Sequence, residues 1–282
     1  MKVGSLFSGI GGFELGLQMA SPDFEIAWQV EQDEFCQKIL AKHWPDVRRW
    51  DDVRTFPPDP VEDWAVDLVC GGFPCQPVSL AGKQKGEEDE RWLWDDMRRV
   101  CDTLRPRWVL AENVQGLLSA SDGLGRRGAL FGTVLRDLAE IGYRVEWHCV
   151  PAYAVGSPQI RERIWIIGHR DVPDVPLSRG REQKVGGDDV GVGRQWVTSD
   201  DLQSAVRGTA WSSECRLGVH ADGVSTGMGE CLGWECGIPR VIPNQPNRLK
   251  RIGSLKSLGN SVIPQIVEML GRVILRVESA NK

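Results

Sequence analysis

The sequence predicts an α/β fold: a mostly parallel sheet with helices on both faces, plus a small irregular region late in the chain. Three observations carry this. Short apolar runs alternate with stretches of helical spacing as far as Gly168. The runs end in glycines or carboxylates, as strands of a covered parallel sheet do. The rhythm then stops and returns only near Ser257.

Residues 3–8 read as a strand, followed by the turn Gly9-Ile10-Gly11-Gly12 and a helix from about Phe13. Residues 25–31 alternate and stop at Glu31, and a helix follows from Asp33 to Lys42. Asp52 ends a third short segment. Residues 66–70 form a short apolar strand that runs into Gly71-Gly72. Over residues 91–104, Leu93, Met97, Val100, Cys101 and Leu104 share one helical side. Residues 108–111 are a buried strand, 129–141 a helix ending near Gly142, and 145–150 and 164–167 further strands. Residues 263–277 have the spacing of a final helix. Residues 171–230 are rich in Gly, Asp, Ser and Arg with little periodicity, which reads as a small lobe or a long functional insert. The expected division is a main domain of residues 1–170 and 252–282, interrupted by a small region of residues 171–251.

The chain has 282 residues, 41% hydrophobic and 26% charged, which suits one large domain or one with a small second lobe. No apolar run reaches the ~20 residues of a membrane span. The N-terminus enters a strand at once and lacks a signal-peptide cleavage site, so a cytoplasmic location is the default expectation. None of the eight cysteines forms a Cys-x-x-Cys pair. Cys215, His220, Cys231 and Cys236 make a poor zinc set, so no metal is expected and most thiols read as structural. A net charge of −5 argues weakly against nucleic acid. Its distribution argues otherwise: residues 237–267 hold Arg240, Arg248, Lys250, Arg251 and Lys256 and no acid.

The glycines after the first strand allow close approach of a ligand to helix N-terminal N–H groups. Glu31, at the end of the second strand, is placed to accept both hydroxyls of a ribose, and Asp52 to meet an adenine amino group. The third glycine of the dinucleotide fingerprint is missing, which favours a sulfonium nucleoside over a dinucleotide. Cys75 sits just past an apolar strand in Gly71-Gly72-Phe73-Pro74-Cys75-Gln76-Pro77, where prolines restrict the loop and glycines admit a substrate. A thiol at the carboxyl edge of an open sheet is a candidate nucleophile. Glu112-Asn113-Val114 follows the next strand at the same edge, where Glu112 also reads as a helix-start carboxylate. Alternation points Arg161 and Arg163 the same way; the plainer reading is a surface strand with solvated arginines.

Residues 5–12, the Pro74-Cys75-Gln76 loop, Glu112-Asn113-Val114, Gln159-x-Arg161-x-Arg163 and residues 259–264 together resemble the ordered motifs of cytosine-C5 DNA methyltransferases. The resemblance covers residues 1–170 and about 248–275. It implies a Rossmann-like catalytic domain and S-adenosylmethionine as cofactor. The cofactor would be held by Phe7, Gly9, Ile10, Gly11, Glu31, Gln32, Asp52, Val53, Pro74, Leu93, Asn260 and Ser261. It further implies Cys75 as nucleophile, Glu112 as proton donor to cytosine N3, and Arg161 and Arg163 as residues that orient the base and its phosphate. Gln76 and Ser79 would support the loop. Duplex DNA would be the partner of a monomeric enzyme, contacted through Gln159 and, from the recognition region 171–251, through Arg240, Arg248, Lys250 and Arg251.

The chain departs from the pattern at two motifs, and its recognition region is short. Ser5 stands where the first motif often has an acid, and Asn247-Arg248-Leu249 only partly matches the arginine-leucine motif. Three alternatives remain: the related transfer-RNA cytosine methyltransferases, a variant that transfers a modified group, and a non-catalytic DNA-binding relative. A Rossmann dehydrogenase is disfavoured by the missing glycine and the Pro-Cys-Gln loop.

Overall fold

The computed structural model describes residues 1–74, 92–122, 124–157, 161–170 and 261–280. Its strands are β1 (Lys2–Leu6), β2 (Glu25–Val30), β3 (Arg48–Trp50), β4 (Leu68–Gly72), β5 (Trp108–Val114), β6 (Arg144–Pro151) and β7 (Glu162–His169). They form one sheet in the order β3-β2-β1-β4-β5-β7-β6. The first five strands pair in parallel, and β7 runs antiparallel to both β5 and β6. The expected mostly parallel α/β sheet is therefore present. The reversal at β7 has a simple cause: the short link after β6 holds one 3-10 turn (Ala152–Val155), too little for the crossover helix that a parallel return needs.

The helices are α1 (Gly12–Ala20), α2 (Glu34–His43), α3 (Trp94–Leu104), α4 (Ala129–Glu140) and α5 (Pro264–Ala280). Alternate strand residues feed two cores. Val69, Val109, Ala111, Ile164 and Ile166 face a core closed by Met97 and Val100 of α3 and Val134 and Leu138 of α4. Leu68, Leu110, Trp165 and Ile167 face the other, closed by Leu17 of α1 and Ile266, Leu270 and Ile274 of α5. Coverage of both faces explains why the central strands read as continuous apolar runs rather than as alternation.

Two elements differ from expectation. The first strand stops at Leu6 because Phe7 turns to φ 53°, which no strand continues. The fifth extends to Val114, so Glu112 is a strand residue and not a helix-start carboxylate. Pairing with Gly72 on one side and Trp165 on the other holds it there.

The last helix is docked at both ends. At its start, a Cβ on Gly16 of α1 would strike the Pro264 carbonyl and lie 2.5 Å from Val267 Cβ. Near its end, Glu278 accepts from Arg107 Nη1 at 3.0 Å and Trp108 Nε1 at 2.6 Å. Gly132 in α4 is the opposite case, since a Cβ there meets nothing within 4 Å. Urea unfolding of Gly16→Ala is expected to show a loss of about 1–3 kcal/mol, because backbone cannot yield to the new methyl group. Gly132→Ala is expected to gain about 0.5–1 kcal/mol from helix propensity alone. Among the described residues no helix is long and apolar enough to cross a membrane.

Candidate active site

The carboxyl ends of β1 to β5 meet at one edge of the sheet, and the reversal of β7 brings its amino end there too. The edge has two halves.

The first half is built by the turn after β1. Gly9 and Gly11 take φ 56° and 91°, which favour glycine. Glu31, one residue past β2, accepts from Gly9 N–H at 2.7 Å and from Asp33 N–H at 2.8 Å. Each of its oxygens keeps a free lone pair for a further donor. Its own N–H donates to the Trp50 carbonyl at 3.0 Å, which keeps the ends of β2 and β3 side by side. Asp52 caps a 3-10 turn (Val53–Thr55), accepting from Arg54 N–H at 3.0 Å and pairing with the Arg54 guanidinium at 3.7 Å. Phe7 and Leu93 both pack on the rim of the core that buries Val53. A Cβ on Gly9 would have only the Phe7 carbonyl, 3.9 Å away, within reach. Open space edged by two carboxylates and a glycine turn fits a cationic nucleoside such as S-adenosylmethionine.

The second half lies between β4, β5 and β7. Glu112 is 9% exposed, and its Oε1 is 3.0 Å from Arg163 Nε. Burial pushes its carboxyl above the ordinary range, outweighing the pull of the Arg163 and Arg161 charges. Gly72 leaves room beside it: a Cβ there would lie 3.3 Å from Glu112 Oε2 and 3.9 Å from Val262 Cγ2. Ser261 therefore sits next to a residue at the heart of the edge. Arg161 is held below its usual value by burial and then by Arg163, and its buried Nε has no hydrogen-bond partner among the described residues. These arginines are not a solvated surface pair: Arg163 on β7 is 22% exposed and pairs with Glu112, and Arg161, just before the strand, is half-buried.

The structure thus brings together Phe7, Gly9, Ile10, Gly11, Glu31, Gln32, Asp52, Val53, Pro74, Leu93, Glu112, Arg161, Arg163 and Ser261 at one sheet edge. Cys75, Gln76, Ser79, Gln159, Arg240, Arg248, Lys250, Arg251 and Asn260 lie outside the described residues, as does the region 171–251. So do Cys215, His220, Cys231 and Cys236.

One residue acquires a role that its motif alone did not specify. Asn113 is buried; its Nδ2 donates to the Phe73 carbonyl at 3.1 Å and its Oδ1 accepts from Val114 N–H at 2.8 Å. It anchors the chain two residues before Cys75. Asn113→Ala leaves a buried carbonyl unpaired, an expected loss of about 1–3 kcal/mol in urea unfolding.

Residues 1–189 match the family described as C-5 cytosine-specific DNA methylase. The chain belongs to this family. The Type II methyltransferase M2.BsuMI of Bacillus subtilis is 34% identical over 190 residues, 65% of this chain and 46% of that protein. M.AquIA of Picosynechococcus is 35% identical over 181 residues, 60% of this chain and 72% of that protein. The chain spans about half the length of most curated relatives that it matches. The fold is also that of Spodoptera frugiperda DNMT2, with a TM-score of 0.52 at 22% identity over 69% of this chain and 58% of that one. The motifs that suggested a cytosine-C5 methylase thus lie within a chain of that family.

Proposed function

We propose that the chain transfers a methyl group to carbon 5 of a cytosine flipped out of duplex DNA, with Cys75 as nucleophile and Glu112 as proton donor. The observation that carries this is Glu112: a buried carboxyl held towards its protonated form, at the edge where β4 leads into Pro74 and Cys75.

Carbon 5 is too weak a nucleophile on its own. Addition of the Cys75 thiolate to carbon 6 forms a C–S bond and pushes electron density through the ring onto N3. A proton from the Glu112 carboxyl meets that charge as it develops. Bound S-adenosylmethionine supplies the methyl group that carbon 5 then takes up. N3 then returns its proton to the Glu112 carboxylate, and a solvent molecule takes the carbon 5 proton as the C–S bond breaks, which expels the Cys75 thiolate and restores the aromatic ring. Arg163 steadies the Glu112 carboxyl, and the Arg161 Nε, without a partner among the described residues, suits a base edge or a phosphate. The base must leave the stack to reach these groups. Glu31 and Asp52 would take the ribose and adenine, and the glycine turn the remainder of the nucleoside. The irregular region 171–251, with Arg240, Arg248, Lys250 and Arg251, would read the DNA.

A duplex carrying 5-fluorocytosine tests this directly. Fluorine cannot leave as a proton does, so elimination stalls and the protein should stay attached to the DNA through denaturing electrophoresis. Parallel incubations of labelled cofactor with duplex DNA and with transfer RNA distinguish the substrate; label only in RNA would reject the DNA reading.

A further inference from the structure

The turn that carries Asp52 and Val53 hangs from the edge of the sheet. β3 is three residues long and stands first in the strand order, so among the described residues it pairs on one side alone. The turn beyond it closes on itself. The Asp52 carbonyl accepts from Thr55 N–H and from Thr55 Oγ1, both at 3.1 Å, and the Val53 carbonyl from Phe56 N–H at 3.2 Å. Trp50 Nε1 donates to Thr55 Oγ1 at 2.9 Å. The buried Phe56 ring packs 4.6 Å from Trp28 and 5.0 Å from Trp64. These contacts fold the turn and root it in the outer part of the sheet, but they do not reach α3.

Arg99 of α3 supplies that link. Its Nη1 donates to the Phe56 carbonyl and its Nη2 to the Val53 carbonyl, each at 2.6 Å. One planar fork thus grips both ends of a turn that lies 43 and 46 residues away in sequence. Asp96, three residues earlier on the helix, accepts from the same Nη2 at 3.1 Å and aims it. As a half-exposed pair on one helix, Asp96 and Arg99 would add little. Short charge-assisted bonds to two carbonyls are stronger, and a single ammonium cannot match both positions. Leu93, the residue before α3, packs on the core that buries Val53. The guanidinium therefore fixes the spacing between the Asp52–Val53 turn on one side and the start of α3 on the other.

We propose that Arg99 is a positioning residue for the adenine end of the cofactor, holding the Asp52–Val53 turn against α3 so that the Asp52 carboxylate meets the purine 6-amino group. This rests on the cofactor site proposed above. The Asp52 side chain already accepts from Arg54 N–H within the turn, so it moves wherever the turn moves. An amino group donates to a carboxylate only at about 3 Å. A small outward drift of the turn costs that bond while the apolar contacts of the ring survive.

The test is calorimetric titration of the full chain with S-adenosylhomocysteine and S-inosylhomocysteine, which differ at the purine 6-position, amino against oxo. The parent should prefer the adenosyl ligand by about tenfold or more, because the oxo group gives Asp52 no donor and sets an oxygen against its carboxylate. Arg99→Met keeps the length and loses both donors. Its preference should fall to about threefold or less, through weaker binding of the adenosyl ligand, while its Kd for the inosyl ligand stays within about threefold of the parent value. Arg99→Lys keeps the charge and one of the two bonds, so its preference should fall between; it decides the matter if Arg99→Met does not fold. Single-turnover transfer at saturating cofactor should stay within a few-fold in both. An undiminished preference in either folded variant, or equal weakening of both ligands, would overturn the inference alone. A parent chain that binds neither ligand, or both alike, would overturn the cofactor reading with it.

Discussion

Cys75→Ser is expected to lower methyl transfer by at least ~10³-fold while duplex DNA still binds within about threefold of the parent affinity. A thiol near its usual pKa of ~8.5 is partly ionised at neutral pH, and the thiolate is the attacking species. A hydroxyl needs a neighbouring base to attack at all. DNA affinity comes mainly from phosphate contacts, which the substitution leaves in place. The other cysteines make useful comparisons. Cys70 and Cys101 are buried thiols outside any disulfide; burial pushes Cys70 well up and, with Asp102, pushes Cys101 up to about 12. Thiols so disfavoured as thiolates should resist alkylation under conditions that label Cys75. Rapid turnover by Cys75→Ser, measured with labelled cofactor, would remove Cys75 from the mechanism.

Glu112→Gln is expected to slow single-turnover transfer by ~10²–10⁴, the usual share of a general acid. The amide cannot give N3 a proton, although it keeps the shape beside Gly72. The pH dependence should change as well. Burial raises the Glu112 carboxyl, so the protonated form survives to higher pH than in an exposed acid. The rate limb that depends on this proton should be full below the raised pKa and fall as pH rises through it. Glu112→Gln should lack that limb. The folded state holds the proton more tightly than the unfolded chain, so this group's contribution to stability is present at low pH. It is lost as pH climbs from the ordinary carboxyl range through the raised value. An unchanged rate and an unchanged profile in Glu112→Gln would reject the proton-donor role.

Much of this edge was legible in the sequence, for local reasons. The glycine turn and Glu31 were found because strand ends and their punctuation are near neighbours along the chain. Most of the cysteines were read as structural thiols, and Cys70 and Cys101 are buried and outside any disulfide. What escaped depends on partners distant in sequence. Glu112 was placed after its strand because glutamate seldom favours strands; the strand continues because β7, about fifty residues on, pairs with it. Asn113 has no local signal, since its partner is the Phe73 carbonyl. Glu14 looks like an ordinary helix-start acid, yet it has no exposed surface and accepts from Gln29 of β2. The reversal at β7 could not be read from apolar runs, which carry no direction.

That reversal decides how far apart the chain stands at residue 170 and at residue 261, on either side of residues 171–260. His169 pairs opposite Trp108, at the end of the sheet away from Glu112. Val262, by contrast, lies against Gly12 and Gly72 at the Glu112 end. The chain leaves the catalytic body on one side and re-enters on the other, a separation of about 25 Å for a strand of eight residues. Whatever lies between must bridge that depth, which takes at least about eight extended residues. A recognition module exchanged between relatives would therefore have to be grafted as a strap with widely spaced ends, and one built as a hairpin insert with adjacent ends would pull the sheet out of register.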